Sequence, residues 1–319
     1  MKIITYSIIP VILAISVLSI ACHHISPEEK AKEDLAQREK NAKLLLKSIK
    51  GIRYTEVKRV FDNGLSFNQD GYRLKPSWRL SFSSPESVNI FNPDSNMFID
   101  APVKFDHDSI FNIAWAWLKL KSLNKDSLKF QVLKVEDRII VDQKPNVFIT
   151  LYSDRYIHDL LHTDTGKLWR PTTKDTLYIK YKAMQANMNL DSAFAASQPV
   201  VLESKRPKVV SVKKKELNNS IVDEVTSDDQ YLSPEYDITI KNAYANFSYF
   251  FSIWVDEHGK LIFRKSMVFS YPEFKKATLN EMKGIVDGYL NHFVSAIPGK
   301  TLGFTHSSIV ILNVRGIKR

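Results

Sequence analysis

Two histidines set four apart, His158-Asp-Leu-Leu-His162, are the first residues whose spacing suggests chemistry. On a helix such a pair points one way, as in helical zinc sites. A zincin places Glu after the first His, whereas this chain has Asp159, and a third ligand would have to come from Asp154, Asp164, His107 or a distant glutamate. The plainer reading is two solvated histidines on a short helix, with no metal or cofactor expected. The competing one is a metal-dependent hydrolase built on His158 and His162. Asp106-His107-Asp108-Ser109 holds the residue types of a serine triad, but adjacent residues do not face each other in that geometry. No Gly-x-Ser-x-Gly elbow occurs in the chain. Asp108 reads instead as the cap of a helix that starts at Ser109. No catalytic residue is assigned. Trp78, Trp115, Trp117 and Trp169 suggest a sugar platform, against the default of core aromatics, so glycan binding stays open.

The elements that must position these groups are bounded by composition. The 319 residues predict two domains or one large one, and 44% hydrophobic residues place the chain in the globular class. A net charge of +10 favours acidic partners, anionic headgroups or polyanionic glycans. Nucleic acid is not expected, because zinc-finger, helix-turn-helix and ribonucleoprotein patterns are all missing. The single cysteine, Cys22, has no partner for an intrachain disulfide.

Met1-Lys2 is a short basic start, Ile3 to Ile20 is apolar around Pro10, and Ala21-Cys22 follows. This layout of a secretory signal resembles a bacterial lipoprotein signal. The resemblance implies cleavage of residues 1–21 between Ala21 and Cys22 and acylation of Cys22, although Ser19 stands where the pattern prefers Leu. An uncleaved membrane helix is the alternative. Both predict export of everything after Cys22, and the lipoprotein reading predicts the outer membrane, facing periplasm or cell surface.

Ser26-Pro-Glu-Glu29 is a capping box with Pro at the first helical position, predicting a charged helical tether over residues 22–51 that ends at Gly51. Residues 52–205 read as a β-rich domain. Strands are expected at Arg73–Phe82, Ser87–Phe91, Met97–Val103, Val147–Tyr152 and Thr176–Tyr181. Helices are expected from Ser109 to about Leu118, at Tyr156–His162 and at Met184–Ala196, with a hairpin turning at Asn124-Lys-Asp126. Residues 206–230 read as a linker, broken by Pro207, a triple lysine and Asn218-Asn-Ser220.

Residues 231–319 are the most legible. Phe247–Val255 and Lys260–Phe269 are strands around the turn Asp256-Glu-His-Gly259. Glu273–Val294 is an amphipathic helix with Met282, Ile285, Val286, Tyr289, Leu290 and Phe293 on one stripe, and Ser307–Val314 is a last strand. Val255-Asp-Glu-His-Gly-Lys-Leu261, Ala277 and Pro298-Gly-Lys-Thr-Leu-Gly303 make this region similar to the TonB carboxy-terminal domain. The expected fold is therefore α+β, with a helical tether, a β-rich middle and a carboxy-terminal ββαβ domain. The resemblance implies a module that binds an envelope protein or peptide by strand addition, with Ile309, Ile311 and Asn313 as the expected binding edge. It departs from the energy transducers of that family. Residues 3–21 contain no histidine, no long Pro-rich spacer follows, and Asp237 stands where Pro is common.

Overall fold

The computed structural model of the chain describes residues 26–93, 95–136, 139–141, 146–215 and 231–318. Over these residues the protein is a mixed α+β structure with a β-rich body. Helix α1 (Pro27–Ser48) opens with the expected capping box. Ser26 Oγ accepts from Glu29 N–H at 3.2 Å, and the Glu29 carboxylate accepts from Ser26 N–H at 3.0 Å. The helix ends at Ile49, and Gly51 takes the left-handed turn at φ +76° that its lack of a Cβ permits. Its charged first half is solvated, while Ala42, Leu46 and Ile49 are buried. Lys43–Glu86 (2.7 Å) and Arg38–Asp108 ion pairs add to this docking.

What α1 docks on is a closed barrel. Its strands are β1 (Arg53–Phe61), β2 (Arg79–Ser84), β3 (Ser87–Asn92), β4 (Met97–Phe105), β5 (Ile110–Ile113), β6 (Ala116–Leu123), β7 (Ser127–Glu136), β8 (Ile139–Val141) and β9 (Val147–Ser153). The nine-stranded sheet runs β6-β5-β4-β3-β2-β1-β9-β7-β8, and a further β6–β7 pairing closes it, with β8 outside the ring on the end of β7. Every pairing is antiparallel. Alternate residues point inward, among them Leu80, Phe82, Val88, Ile90, Ile113, Leu118, Phe130 and Ile149, and all are essentially inaccessible. The lumen is a filled apolar core of the kind small barrels favour.

The barrel replaces the helix expected at Ser109. Asp108 (φ +40°) and Ser109 (φ +70°) are left-handed and reverse the chain from β4 into β5, and Ala114 (φ +55°) turns it into β6. A two-residue turn between two period-two strands shifts the apolar phase, so Phe111, Ala114, Trp115 and Leu118 imitate a helical stripe. The hairpin at Asn124 is as expected, its side-chain oxygen accepting from Asp126 and Ser127 N–H at 2.9 and 2.7 Å.

After β9 come α2 (Thr165–Leu168) and α3 (Thr173–Met188). The latter overturns the strand expected at Thr176–Tyr181. Thr172 and Asp175 form a capping box, and Ile179, Ala183 and Ala186 are buried at helical spacing. The helix expected over Met184–Ala196 stops at Met188, and Leu190–Ser192 is a 3₁₀ turn.

The rest of the chain builds an open sheet from β10 (Val201–Ser204), β11 (Val210–Lys214), β12 (Glu235–Ala243), β13 (Phe247–Val255), β14 (Leu261–Ser266), β15 (Val294–Ile297), β16 (Lys300–Thr301), β17 (Phe304–Thr305) and β18 (Ser308–Lys318). Five strands run β11-β12-β18-β13-β14, β12 lying parallel to β18, while β10 pairs with β15 and β16 with β17. Helix α4 (Pro272–Gly284) continues as a π-helical segment, Ile285–Leu290, and a last turn, Asn291–Phe293. Met282, Ile285, Val286 and Leu290 are buried against one sheet face, with Tyr289 and Phe293 packed beside them, as the sequence stripe predicts. Strands β10 and β11 come from the stretches expected to be middle domain and linker, so this body starts earlier in the chain than residue 231.

Candidate functional site

The histidine pair fails to form a helical face. Tyr156–Leu160 is a single π turn closed by Leu161 N–H to Tyr156 O at 2.9 Å. His162 lies beyond it in the left-handed region at φ +47°, so the same-face argument does not apply to it. Both rings are exposed, and no group of three or more metal-ligating side chains occurs among the described residues. Asp106 bonds its neighbour His107, while Asp108 turns away to Arg38, so the triad-like run is split between two partners.

The tryptophans are dispersed. Trp78 and Trp115 meet edge to face at 6.4 Å, Trp117 sits in the β6 ladder, and Trp169 donates its Nε1–H to Glu56 O at 2.7 Å. Cys22 and Ala21 lie outside the described residues, as does the apolar run before them. Among the described residues no helix is long and apolar enough to cross a membrane.

The expected docking edge is corrected by the sheet order. Ile309, Ile311 and Asn313 belong to β18, which is an interior strand. It pairs with β13 from Ser308 to Gly316 and with β12 from Ile311 to Lys318. Pro234 O accepts from Ile311 N–H at 2.9 Å, and Asn313 Nδ2–H donates to Asp237 at 3.0 Å. Alternating apolar residues on both faces of the last strand signal an interior position, and the second neighbour is the chain's own β12.

The free edges are therefore β11 and β14. Strand β11 is short and ends on exposed Lys213 and Lys214, a common way of blunting an edge. Strand β14 is different. Its first residue is capped by Asn291, whose side chain accepts from Leu261 N–H at 3.0 Å and donates to Leu261 O at 2.8 Å. Beyond Leu261, its outer side has no backbone partner among the described residues. A groove of about 630 Å³ runs there between β14 and α4, floored by Phe263 and Leu279. Its walls carry Arg264, Lys265, Lys275 and Lys283, and no carboxylate lines it among the described residues.

The segment joining β14 to α4 frames this groove with exposed aromatics. Phe269 is 84% exposed, Tyr271 65% and Phe274 64%, and Met267 and Val268 are also open. Phe269 and Tyr271 touch edge to face at 5.4 Å. A cluster of this kind beside an unpaired strand marks an interaction surface more than a core. The residues were in view as Met267-Val-Phe-Ser-Tyr-Pro-Glu-Phe274, but the sequence assigns Met267–Phe269 to the end of the return strand and Glu273 to the helix; the strand stops at Ser266 and leaves Met267–Tyr271 as an exposed connection. A scan against models of known protein families gives no match, and neither does a search of curated proteins. The arrangement stands on its geometry: an open strand edge, a cationic groove and an aromatic rim.

Proposed function

We propose that this chain is an extracytoplasmic, lipid-anchored protein that captures an extended acidic peptide segment of an envelope partner by strand addition at β14. The observation that carries the reading is the β14 edge, which beyond Leu261 has no backbone partner among the described residues and is flanked by a groove whose described charged lining residues are all cationic. An added strand would bond main chain to main chain, place alternate side chains against Phe263 and Leu279, and set its carboxylates near Lys265, Lys275 and Lys283. The order strand, turn, strand, helix, strand over residues 247–318 supports the likeness to the TonB carboxy-terminal domain, with the docking edge moved from the last strand to β14. The anchor rests on Cys22 directly following an apolar run; acyl chains contribute roughly 0.8 kcal/mol per buried methylene, so two or three hold a protein firmly.

The test uses the exported chain and an array of extended peptides, acidic and basic, with alternating apolar residues. Acidic peptides should bind the wild type, slow amide exchange at Phe263–Ser266, and lose at least tenfold in affinity with Lys275→Glu/Lys283→Glu or Phe269→Ser. Binding that leaves β14 exchange untouched, or that survives both variants, rules the reading out. Labelling with a fatty acid, lost in Cys22→Ser, tests the anchor separately.

A further inference from the structure

A second concave surface lies on the outside of the barrel, far in sequence from β14. This cleft of about 820 Å³ has β1, β2, β3 and the start of β4 as its floor and the segment 154–169 as its wall. The ladder register sets its chemistry. Arg53 faces Ser81, which faces Asn89; in the next row Thr55 faces Arg79. These side chains share the outer face because their neighbours Tyr54, Leu80 and Ile90 fill the lumen.

Neither guanidinium has a carboxylate within salt-bridge distance among the described residues. Arg79 Cζ lies over the Phe91 ring, 3.7 Å from its centroid, a cation–π contact that restrains the guanidinium and leaves N–H donors for a ligand. Phe98 meets Phe91 edge to face at 5.4 Å and is half exposed. Across the cleft the Trp169 ring is pinned by its bond to Glu56 O and partly exposed. Among the described residues Asp154 accepts one long bond, from Thr55 at 3.4 Å, and so keeps acceptor capacity for the cleft.

We propose that this cleft binds an acidic saccharide, a sugar ring bearing one carboxylate. The carboxylate suits the Arg53 and Arg79 guanidinium groups, which both line the cleft. Ring hydroxyls suit Asp154 as acceptor and Asn89 and Ser81 as partners of either kind. The C–H face of the ring suits the flat apolar surfaces of Trp169 and Phe98. A phosphate would satisfy the arginines equally, but Asp154 and Asp164 also line the cleft, and two carboxylates disfavour a dianion while welcoming hydroxyl donors. The volume falls in the range of small-ligand sites and admits about two rings.

The experiment is calorimetric titration of the full exported chain with a uronic-acid disaccharide, its carboxyl-reduced neutral counterpart and inorganic phosphate, with Trp fluorescence as a second readout. The acidic disaccharide should bind saturably, the neutral one at least tenfold more weakly, and phosphate should not compete at equal concentration. Arg79→Gln should cost at least tenfold. Arg79→Lys, which keeps the charge and loses the planar fork, should fall between. Arg79 is exposed, and far-ultraviolet dichroism checks that both variants fold. No saturable binding, equal affinity for the neutral sugar, full competition by phosphate, or an unchanged Arg79→Gln each overturns the proposal.

Discussion

Acid should loosen this protein first at His306. The ring is fully buried, stacked on Phe194 at 3.8 Å and 8°, with Nε2 meeting Thr301 Oγ1 at 3.0 Å and Nδ1 meeting Ser307 O at 3.1 Å. Those partners fit a neutral imidazole that donates from Nδ1 to the carbonyl and accepts at Nε2. Burial pushes its pKa down from 6.5 to about 4; the Ser307 carbonyl works against this, and nearby Lys182, over the Phe194 ring at 4.8 Å, adds to it. The folded value lies below the unfolded one, so between them the unfolded chain takes up a proton that the folded chain refuses. Stability is therefore complete above about pH 6.5 and is lost as pH falls toward about 4. Between about pH 7.5 and about pH 4.5 the loss from this one group is on the order of 2–3 kcal/mol. Urea titration at a series of pH values, for wild type and His306→Gln, measures it, because carboxylate contributions cancel in the difference. The wild type should lose roughly 2–3 kcal/mol more than the variant across that range. Parallel pH profiles for the two would refute the reasoning.

Two further substitutions probe the framework. Glu56 is fully buried and accepts from Arg59 Nε and Nη2, both at 2.7 Å, and from Ser77 and Trp78 N–H at 2.9 and 3.0 Å; Glu56→Ala leaves that cation and two amides unmatched and should cost about 3–5 kcal/mol by urea denaturation. A Cβ at Gly316 would lie 2.3 Å from the Phe247 ring, which itself stacks on Tyr249; Gly316→Ala should destabilise by about 1–3 kcal/mol in a thermal or urea melt, and Phe247→Leu in the same chain should recover part of the loss.

Residues carrying strong local signals were legible. The capping box at Ser26, the Asp256–Gly259 turn and the stripe from Met282 to Phe293 each encode their structure within a few positions, and each is found where the sequence puts it. The barrel was not legible as a barrel, because closure depends on β6 meeting β7 and β9 meeting β1, and nothing in a single strand states its partner. Two errors share a cause: β5 and α3 both hold β-branched and aromatic residues whose spacing fits either period. In β5 the left-handed Asp108, Ser109 and Ala114 decide it, and in α3 the Thr172–Asp175 box does. The barrel cleft could not be read either, since Arg53, Arg79, Asp154 and Trp169 converge only through register and a distant wall.

The position of the docking edge is decided by magnitudes. A peptide adding to β18 would have to displace β12, whose Tyr236, Ile238 and Ile240 are all but inaccessible. At roughly 1.5–3 kcal/mol for each such side chain, peeling it away costs on the order of 5–9 kcal/mol before any ladder bond is counted. Strand β11 would go with it, since β12 is its partner. A peptide of micromolar affinity supplies about 8 kcal/mol in total, so most or all of it would be consumed. At β14 none of the described residues needs to be displaced beyond Leu261, and the main-chain groups there would gain partners that the described residues do not supply. Strand β18 is thus closed on both sides by the protein's own strands, whereas β14 is open among the described residues beside cations and aromatic rings, and the proposed docking is expected at β14 rather than at β18.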